Sequence, residues 1–331
     1  MADKVKVGMI GLRGWGNIVR RALKQSETLE LAAIWSRSEE SIERSQRELP
    51  SKVCESYEAL LAEPIDAVLI INPNFVHLEY ALAAADAGKA VLIEKPMTNT
   101  VAEGKQMVDV FREKGLLLAV KHPHRFSPAQ RKIKELIDGG ELGDVLSFES
   151  YTSHESSKNF PPDRWKRDPV KCPAAPLAQL GVHYMDTAQC FFGDPVWVES
   201  HHRNVLGLSE NVDCTVTTAL FGDVPCTFHA HYVVPGYQRL AVYGHRALVV
   251  RDGAAGFFGM KREGEKEFEP IEVENTNGVL ESLEAFGRAM QGVEPFECPG
   301  EVGLLAVATC EAAIRSAAED NRKVTIEEVM A

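Results

Sequence analysis

The stretch Val5-Lys6-Val7-Gly8-Met9-Ile10-Gly11-Leu12-Arg13-Gly14-Trp15-Gly16 decides the fold of the first part of the chain. A short apolar run enters a glycine-rich turn, and a segment of helical periodicity follows over residues 17–25. This succession of strand, turn and helix is the context that a dinucleotide-binding fingerprint requires. Gly11 permits the tight turn, and Gly16 permits close packing of the helix on the strand. The sequence therefore predicts a parallel sheet that binds a dinucleotide at its first turn.

The fingerprint departs from its usual form at one position. Its second glycine normally lets the backbone approach the pyrophosphate, and this chain has Arg13 there. Two interpretations stay open: either Gly14, one place later, takes over the close approach, or the Arg13 side chain lies along the phosphates as a charged donor. The residues expected to contact the dinucleotide at this turn are Gly11, Arg13, Gly14, Trp15 and Gly16.

The second predicted strand ends in Trp35-Ser36-Arg37-Ser38, where an NAD-dependent protein usually carries an acidic residue for the ribose hydroxyls. An acidic residue would repel a 2′-phosphate, whereas a serine hydroxyl and a guanidinium group can bind one. Ser36 and Arg37 therefore favour NADP(H) as the cofactor, with NAD(H) as the alternative. The other interpretation of Arg37 is a solvated residue at the start of a helix.

The order of predicted elements gives the fold class. Up to about residue 122, short apolar runs alternate with helical segments, which is typical of a doubly wound parallel sheet. From about residue 125, strand-like runs follow one another with few helices, which predicts an open, mostly antiparallel sheet. We expect an α/β protein with a Rossmann NAD(P)-binding domain over 1–124 and an α+β substrate-binding and oligomerisation domain over 125–331. An alternative expectation is that the C-terminal helices, 279–318, pack back on the first domain.

The individual predictions follow from the apolar periodicity. The predicted strands of the first domain are 5–10, 31–35, 67–71, 90–93 and 116–120, and its predicted helices are 17–25, 38–48, 76–87 and 100–114. The predicted strands of the second domain are 145–152, 196–205, 212–221, 224–234, 239–243 and 247–251, and its predicted helical segments are 128–137, 173–192 and two within 279–318.

Composition and charge exclude several classes of protein. The chain has 331 residues, of which 45% are hydrophobic and 25% charged, as in an ordinary folded protein. Its formal net charge is −12, and residues 267–331 hold 14 of the 48 acidic residues but 4 of the 36 basic ones. We expect no nucleic-acid partner, because phosphate-backbone binding needs clustered positive charge. The remaining chain is nearly balanced and need not repel an anionic cofactor.

Cysteine and histidine spacing indicates neither a disulfide framework nor a metal site. The seven cysteines are widely spaced and include no Cys-x-x-Cys pair. His229 and His231 share one face of a predicted strand, but no third ligand follows at a recognisable spacing, so we expect no metal. No leader-like N-terminus and no run of 18 apolar residues is present, which predicts a cytoplasmic protein without a membrane partner.

Three further segments carry chemistry. Asn72-Pro73-Asn74-Phe75-Val76-His77 and Glu94-Lys95-Pro96 end two predicted strands, and the carboxyl ends of strands face the ligand in a doubly wound sheet. Lys95 can donate to a substrate hydroxyl and stabilise negative charge that develops on it. In the later helical segment, His183 and Asp186 lie three residues apart on one helix face. Histidine is the side chain best matched to moving a proton near neutral pH.

With these motifs the chain resembles the Gfo/Idh/MocA oxidoreductases, the relatives of glucose-fructose oxidoreductase and inositol dehydrogenase. The resemblance covers nearly the whole chain. The motifs that carry it are the Gly11 to Gly16 turn, the runs 72–77 and 94–96, Arg125-Phe126-Ser127-Pro128, Gly140-Glu141-Leu142-Gly143 and the Gly-x-His-x-x-Asp segment of residues 181–186.

The resemblance implies hydride transfer between a nicotinamide and a secondary alcohol or ketone of a sugar, cyclitol or related polyol. It implies that Lys95 contacts the substrate hydroxyl and stabilises the alkoxide, and that His183 accepts or donates the proton beside Asp186. The further cofactor contacts expected are Asn72, Pro73, Asn74, His77, Glu94 and Lys95. The substrate contacts expected are Lys95, His122, Arg125, Trp165, Gln179 and His183.

Two departures from the family pattern bear on the substrate. Many relatives carry an acid four residues before the histidine, and this chain has Gln179, which can hydrogen-bond a hydroxyl but cannot take a proton. His183 is therefore the expected base. Pro173-Ala174-Ala175-Pro176 replaces the glycines that usually precede this segment, so we expect a stiffer loop of different shape.

Two other functions fit the same motifs. One is a non-catalytic dinucleotide-binding sensor or regulator, because a fold does not dictate a function. The other is a hydrolase or epimerase that keeps its cofactor tightly bound. In each case we expect a homodimer or a homotetramer, the usual symmetric outcomes.

Overall fold

The computed structural model describes residues 3–253, 255–274 and 276–331. The chain divides into two compact units. The first contains Met1–Phe126 and Asn277–Leu304, and the second contains Ser127–Thr276 and Leu305–Ala331. Residues 277–304, which belong to the second domain predicted from the sequence, thus lie in the first unit.

The described residues form the following strands and helices. The strands are β1 Val5–Ile10, β2 Leu29–Trp35, β3 Lys52–Val53, β4 Ala67–Ile70, β5 Ala90–Glu94, β6 Leu118–Lys121, β7 Val145–Ser153, β8 Pro195–Arg203, β9 Cys214–Phe221, β10 Val224–His231, β11 Tyr237–Gly244, β12 Ala247–Asp252, β13 Phe257–Arg262, β14 Glu269–Pro270 and β15 Val324–Thr325. The helices are α1 Trp15–Leu23, α2 Glu39–Glu48, α3 Tyr57–Leu61, α4 His77–Asp86, α5 Val101–Glu113, α6 Pro128–Asp138, α7 Val182–Phe192, α8 Gly278–Met290, α9 Gly300–Ala318 and α10 Ile326–Met330.

The first unit is built on a six-stranded sheet with the order β3-β2-β1-β4-β5-β6. All of its strand pairs are parallel. The residues of β4 and β5 are buried along their whole length, because helices cover both faces of a doubly wound sheet. From β1 the chain builds the sheet outward to one side through β2 and β3, and then to the other side through β4, β5 and β6. Sheets of this kind bind ligands at the switch point, which here lies between β1 and β4. The predicted Rossmann architecture is confirmed.

The second unit is built on a nine-stranded sheet with the order β14-β13-β12-β11-β7-β10-β9-β8-β15. Strands β7 and β10 pair in parallel, and the other neighbours pair antiparallel. Buried and half-buried residues alternate along β9, as expected for a sheet with one covered face. The core under β7 and β10 is aromatic, with Phe148 in ring contact with Phe191, Phe192 and Phe228. The predicted open, mostly antiparallel sheet is confirmed.

One predicted helical segment is irregular and starts two residues later than predicted. Residues 175–192 are helical without a break, and Leu177–Gly181 within them forms a π-helical turn that runs into α7 at Val182. Residues 173 and 174 precede the helix, and Ala174 has a positive φ of 45°. Pro176 lies in the first helical turn, where its missing backbone N–H is tolerated. No helix of the described residues is both long and apolar enough to cross a membrane.

Candidate functional site

The turn after β1 can be made only with glycine at two positions. Gly11 has a φ of 82°, and a Cβ atom there would overlap the backbone carbonyl of Ile71, which follows β4. A Cβ atom on Gly16 would overlap the carbonyl oxygen of Gly11. Strands β1 and β4 and helix α1 therefore approach one another through backbone atoms alone, and this fixes the start of α1.

Gly14 provides the room that a phosphate would need. It is the N-cap of α1, it has a φ of 56°, and, apart from its chain neighbours Arg13 and Trp15, no described residue has an atom within 4 Å of the position its Cβ would take. The N-terminus of a helix carries partial positive charge and backbone N–H groups that suit an anion. The residues of this turn therefore fit the pyrophosphate of a dinucleotide.

The Arg13 side chain points away from that room and towards α2. Its Nε donates to Ser41 Oγ at 3.0 Å and its Nη2 donates to Ser38 Oγ at 2.8 Å. Glu40 Oε2 lies 3.7 Å from Nη2, and 71% of the Arg13 side chain is exposed. The guanidinium group thus lies at the N-terminus of α2, beside the end of β2.

The segment between β2 and α2 is a polar turn that follows an aromatic cluster. Ser36 Oγ accepts from the backbone N–H of Ser38 at 3.2 Å, and Ser38 Oγ caps α2 by accepting from Ser41 N–H at 3.3 Å. Arg37 is exposed between these two serines. Below it, the Trp35 ring lies 6.0 Å from the rings of Tyr57 and of Tyr80.

The run from Asn72 to His77 forms a rigid connection between β4 and α4. His77 is fully buried, with Nε2 2.8 Å from the Asn72 carbonyl oxygen and Nδ1 3.1 Å from that of Met97. Burial lowers the pKa of His77, and the neutral ring donates to one of these two carbonyls, between the turn and the loop after β5. Pro73 precedes a 3-10 turn, Asn74–Val76, and the buried Asn74 amide donates to the side chain of Asn99.

Glu94 and Lys95 end β5 as buried charges. Glu94 Oε2 forms an ion pair with Lys121 Nζ, at the end of the neighbouring β6, at 2.9 Å. Burial raises the pKa of Glu94, whereas the ammonium groups of Lys121 and Lys95 lower it. The lowering is the larger effect, so the pKa of Glu94 lies below its usual value. Lys95 is 5% exposed. Lys121 Nζ also lies 5.4 Å from the centre of the half-exposed Trp15 ring.

Two of the expected substrate contacts follow β6 directly. His122 is 1% exposed and Arg125 is 9% exposed. One Arg125 nitrogen, Nη1, donates to the carbonyl oxygen of Glu297 at 3.3 Å, which ties this segment to the chain before α9. Both residues thus belong to the first unit, at the carboxyl end of its last strand.

In the second unit the π-helical turn positions the remaining candidates. Gln179 lies in that turn and is half-buried, and His183 and Asp186 lie in the first turns of α7, with exposures of 9% and 0%. The His183 carbonyl oxygen accepts from Thr187 Oγ1 at 2.8 Å. A π-turn changes the direction of the side chains that follow it, and such turns are frequent at functional sites.

Trp165 lies in a short 3-10 turn, Trp165–Arg167, that packs beside this segment. It contacts a buried cluster formed by Cys172, Ala175, Ala178 and Tyr232. Lys166 Nζ lies 5.5 Å from the Trp165 ring.

Sequence reasoning missed two residues of the first unit. Lys121 is the last residue of the apolar strand β6, and its position at a strand end is the one signal that could have found it. Ser41 lies three residues after the N-cap Ser38, and only the contact with Arg13 distinguishes it from any other first-turn serine.

Comparisons with known proteins match both units. A model described as an oxidoreductase family with an NAD-binding Rossmann fold matches residues 5–122, and a GFO/IDH/MocA C-terminal domain model matches residues 130–250. The NADP(+)-dependent scyllo-inositol 2-dehydrogenase IolW of Bacillus subtilis is 28% identical over 268 residues, covering 80% of this chain and 73% of that protein. The NAD(+)-dependent scyllo-inositol 2-dehydrogenase of the same organism is 29% identical over 218 residues, 62% of this chain and 58% of that protein.

A solved oxidoreductase structure from Desulfitobacterium hafniense has a TM-score of 0.95 and 26% identity, with 100% of both chains covered. One of these inositol dehydrogenases is named for NADP(+) and the other for NAD(+). The chain is therefore similar both to an NADP-dependent and to an NAD-dependent enzyme. Because the N-terminal and the C-terminal models of one family both match, the chain belongs to the Gfo/Idh/MocA family of NAD(P)-binding oxidoreductases.

Proposed function

We propose that this protein is an NAD(P)-dependent dehydrogenase or reductase that interconverts a secondary alcohol and a ketone of a sugar, cyclitol or related polyol. The observation that carries the proposal is Lys95, a buried lysine at the carboxyl end of β5 in a Rossmann sheet with room for a phosphate at Gly14. When bound, the dinucleotide supplies the acceptor or donor of the hydride. The relatives named for inositol support the substrate class.

Lys95 stabilises the negative charge that develops on the substrate oxygen. Lys121 balances the Glu94 carboxylate at 2.9 Å, so Lys95, Lys121 and Glu94 together carry a net positive charge. A buried positive charge favours an alkoxide more strongly than the same charge in water would. Glu94 and Lys121 therefore support Lys95 without cancelling its charge.

His183 accepts the hydroxyl proton in oxidation and returns it in reduction. Its position in the first turn of α7 holds the imidazole on an ordered backbone. Gln179 orients a substrate hydroxyl by hydrogen bonding, because an amide cannot take the proton itself. Asp186 acts beside His183 and is fully buried.

NADP(H) is the favoured cofactor. Ser36 and the exposed Arg37 offer a hydroxyl and a guanidinium group to the 2′-phosphate, and no acidic residue stands at the end of β2. Gly11, Gly14 and Gly16 hold the pyrophosphate at the N-terminus of α1. Trp15, Asn72, Pro73, Asn74 and His77 complete the dinucleotide contacts.

The test is turnover of a panel of sugars, inositols and other polyols by Lys95→Met and His183→Asn variants. Each variant should lose at least about 100-fold in kcat, the usual scale for acid–base and charge-stabilising groups. NADPH binding, measured by fluorescence, should persist in His183→Asn, because His183 is not among the expected dinucleotide contacts. The exposed residues Lys24 and His201 provide matched controls, as Lys24→Met and His201→Asn. Full turnover in both site variants would refute the mechanism.

The same panel separates the other two functions. A protein that binds NADPH and turns over no compound behaves as a sensor or regulator. One that transforms a compound while its dinucleotide resists dialysis and shows no net redox change behaves as a hydrolase or epimerase.

We also propose a symmetric homodimer or homotetramer. The half-buried side chains of β9, such as Val216 and Leu220, alternate with its buried ones and offer one face of the second sheet for such contacts. Light scattering of the purified protein measures the subunit number, and a monomer would contradict the proposal.

A further inference from the structure

We propose that Arg13, from the first glycine turn, is a specificity-determining residue for the 2′-phosphate of NADP(H), with Ser38 and Ser41 as its polar partners. The inference rests on the proposed function, because it assumes that the first unit binds a dinucleotide. It adds to the expected pair Ser36 and Arg37 a residue from a different element. It also decides which phosphate Arg13 serves.

The direction of the Arg13 side chain carries the argument. Position 13 normally faces the pyrophosphate as glycine, yet its guanidinium group lies against two hydroxyls of α2, at 2.8 and 3.0 Å. These hydroxyls belong to the N-cap and the third residue of α2. The hydrogen bonds and the ion pair that the Arg13 side chain makes with other described residues are all with the N-cap or the first turn of α2, and none is with the glycine turn. The Arg13 guanidinium group thus lies at the end of β2, beside the N-terminus of α2.

The chemistry of this cluster suits a phosphate dianion. A guanidinium group presents paired N–H donors that match phosphate oxygens, and serine hydroxyls can reorient to donate as well. The Arg13 side chain is 71% exposed, so a ligand can reach it. The N-terminus of the ten-residue α2 adds favourable partial charge. A ribose with a free 2′-hydroxyl offers none of this charge, so the cluster should discriminate between the two dinucleotides.

Glu40 opposes the phosphate but is partly neutralised. Its carboxylate lies 3.7 Å from Arg13 Nη2 and 2.7 Å from Arg44 Nη2. The shorter contact is to Arg44, so Arg13 can turn from Glu40 to a phosphate while Glu40 keeps a partner. Glu40 is therefore expected to weaken NADPH binding slightly by competing for Arg13.

The decisive experiment measures dissociation constants by calorimetry for four probes: NADPH, NADH, adenosine 2′,5′-bisphosphate and ADP. Arg13→Ala should weaken NADPH and the 2′,5′-bisphosphate by about 10- to 100-fold, the scale of charge-assisted hydrogen bonds. It should leave NADH and ADP, which lack the 2′-phosphate, within twofold. Arg13→Gln, which keeps hydrogen bonding without charge, should give an intermediate loss.

Arg47→Ala is the matched control, because Arg47 is an exposed arginine near the far end of α2, 3.8 Å from Glu43. It should leave all four constants unchanged. Glu40→Gln should tighten NADPH by about two- to fivefold, the scale of an exposed ion pair, without changing NADH. Circular dichroism and a thermal melt establish that each variant is folded.

The outcomes separate the inference from the proposed function. If Arg13→Ala weakens ADP and NADH as much as the 2′-phosphorylated probes, Arg13 serves the pyrophosphate and the inference is wrong. If the wild-type protein binds NADPH and Arg13→Ala changes no constant, the inference fails while the proposed function stands. A wild-type protein that binds none of the four probes overturns both.

Discussion

Gly11 is the residue on which the turn after β1 most depends. We predict that Gly11→Ala destabilises the protein by about 2 kcal/mol or more, since a left-handed φ costs a non-glycine residue about 1 to 2 kcal/mol before any overlap. The added methyl group also overlaps the carbonyl of Ile71, and backbone atoms between two buried strands cannot move aside. Urea unfolding followed by circular dichroism measures the loss.

Gly88 is the matched control for this substitution. It has a φ of 70° but no described atom within 4 Å of its missing Cβ, so Gly88→Ala should cost only the conformational part, about 1 kcal/mol. Equal losses for the two variants would mean that the contact with Ile71 is unimportant.

The sequence predicts which residues of this turn matter but not where a long side chain goes. Spacing identified Arg13 as the departure from the fingerprint, yet an arginine can reach several ångströms in many directions. The contact that orients it comes from Ser41, 28 residues later in the chain. The ion pair between Lys121 and Glu94 cannot be predicted from the sequence for the same reason, because strands β5 and β6 are neighbours in the sheet but are separated along the chain.

At the scale of elements, the ends of β5 and β6 are joined by the Glu94–Lys121 ion pair. We predict that Lys121→Met destabilises the protein by up to about 3 kcal/mol at pH 7, because the buried Glu94 carboxylate loses its ion-pair partner and keeps Lys95 as a neighbouring ammonium group. The double variant Glu94→Gln with Lys121→Met should recover most of that loss. Urea unfolding of the three proteins measures both effects, and a single variant as stable as the wild type would contradict the prediction.

The pH dependence of this pair gives a further check of the same prediction. In the wild type the pKa of Glu94 is lowered, so its contribution to stability is present above its unfolded pKa and is lost as pH falls through the folded value. Without Lys121, burial should raise that pKa, and protonation then relieves the buried charge. The difference between Lys121→Met and the wild type should therefore shrink between pH 7 and pH 5.

Long periodic elements were predictable, and short ones were not. The apolar runs that form β1, β4 and β5 and the helical period of α5 mark elements whose local pattern agrees with their burial. The prediction omitted α3, which has five residues, and β13, whose pattern is half-buried at both ends. The π-helical turn before His183 was not predicted either, because a helical period in the sequence does not distinguish a π turn from α-helical turns.

At the scale of the whole molecule, the assignment of residues 277–304 to the first unit could not be read from periodicity. The sequence marks α8 as an amphipathic helix but does not say which sheet its apolar face covers. Glu284 on α8 accepts hydrogen bonds from Ser26 and from the backbone N–H of Glu27, just before β2. Contacts such as these, which link positions more than 250 residues apart, join α8 to the N-terminal sheet.

Several histidines contribute to the response of the protein to acid. Burial lowers the pKa of His77, His154, His202, His229 and His231, and that of His202, on β8, falls to about 4. Each binds its proton in the unfolded chain, near pH 6.5, before it does so in the folded one. Stability from these neutral rings is thus fully present above pH 6.5 and is lost as pH falls towards the folded pKa values.

We predict that His202→Gln removes part of this loss, because glutamine does not titrate. Between pH 7.5 and pH 5 the His202 contribution alone should be about 2 kcal/mol, since one pKa unit corresponds to about 1.4 kcal/mol. Urea unfolding of the wild type and the variant at both pH values measures it. If the variant loses as much stability as the wild type on acidification, the acid sensitivity arises from groups other than His202.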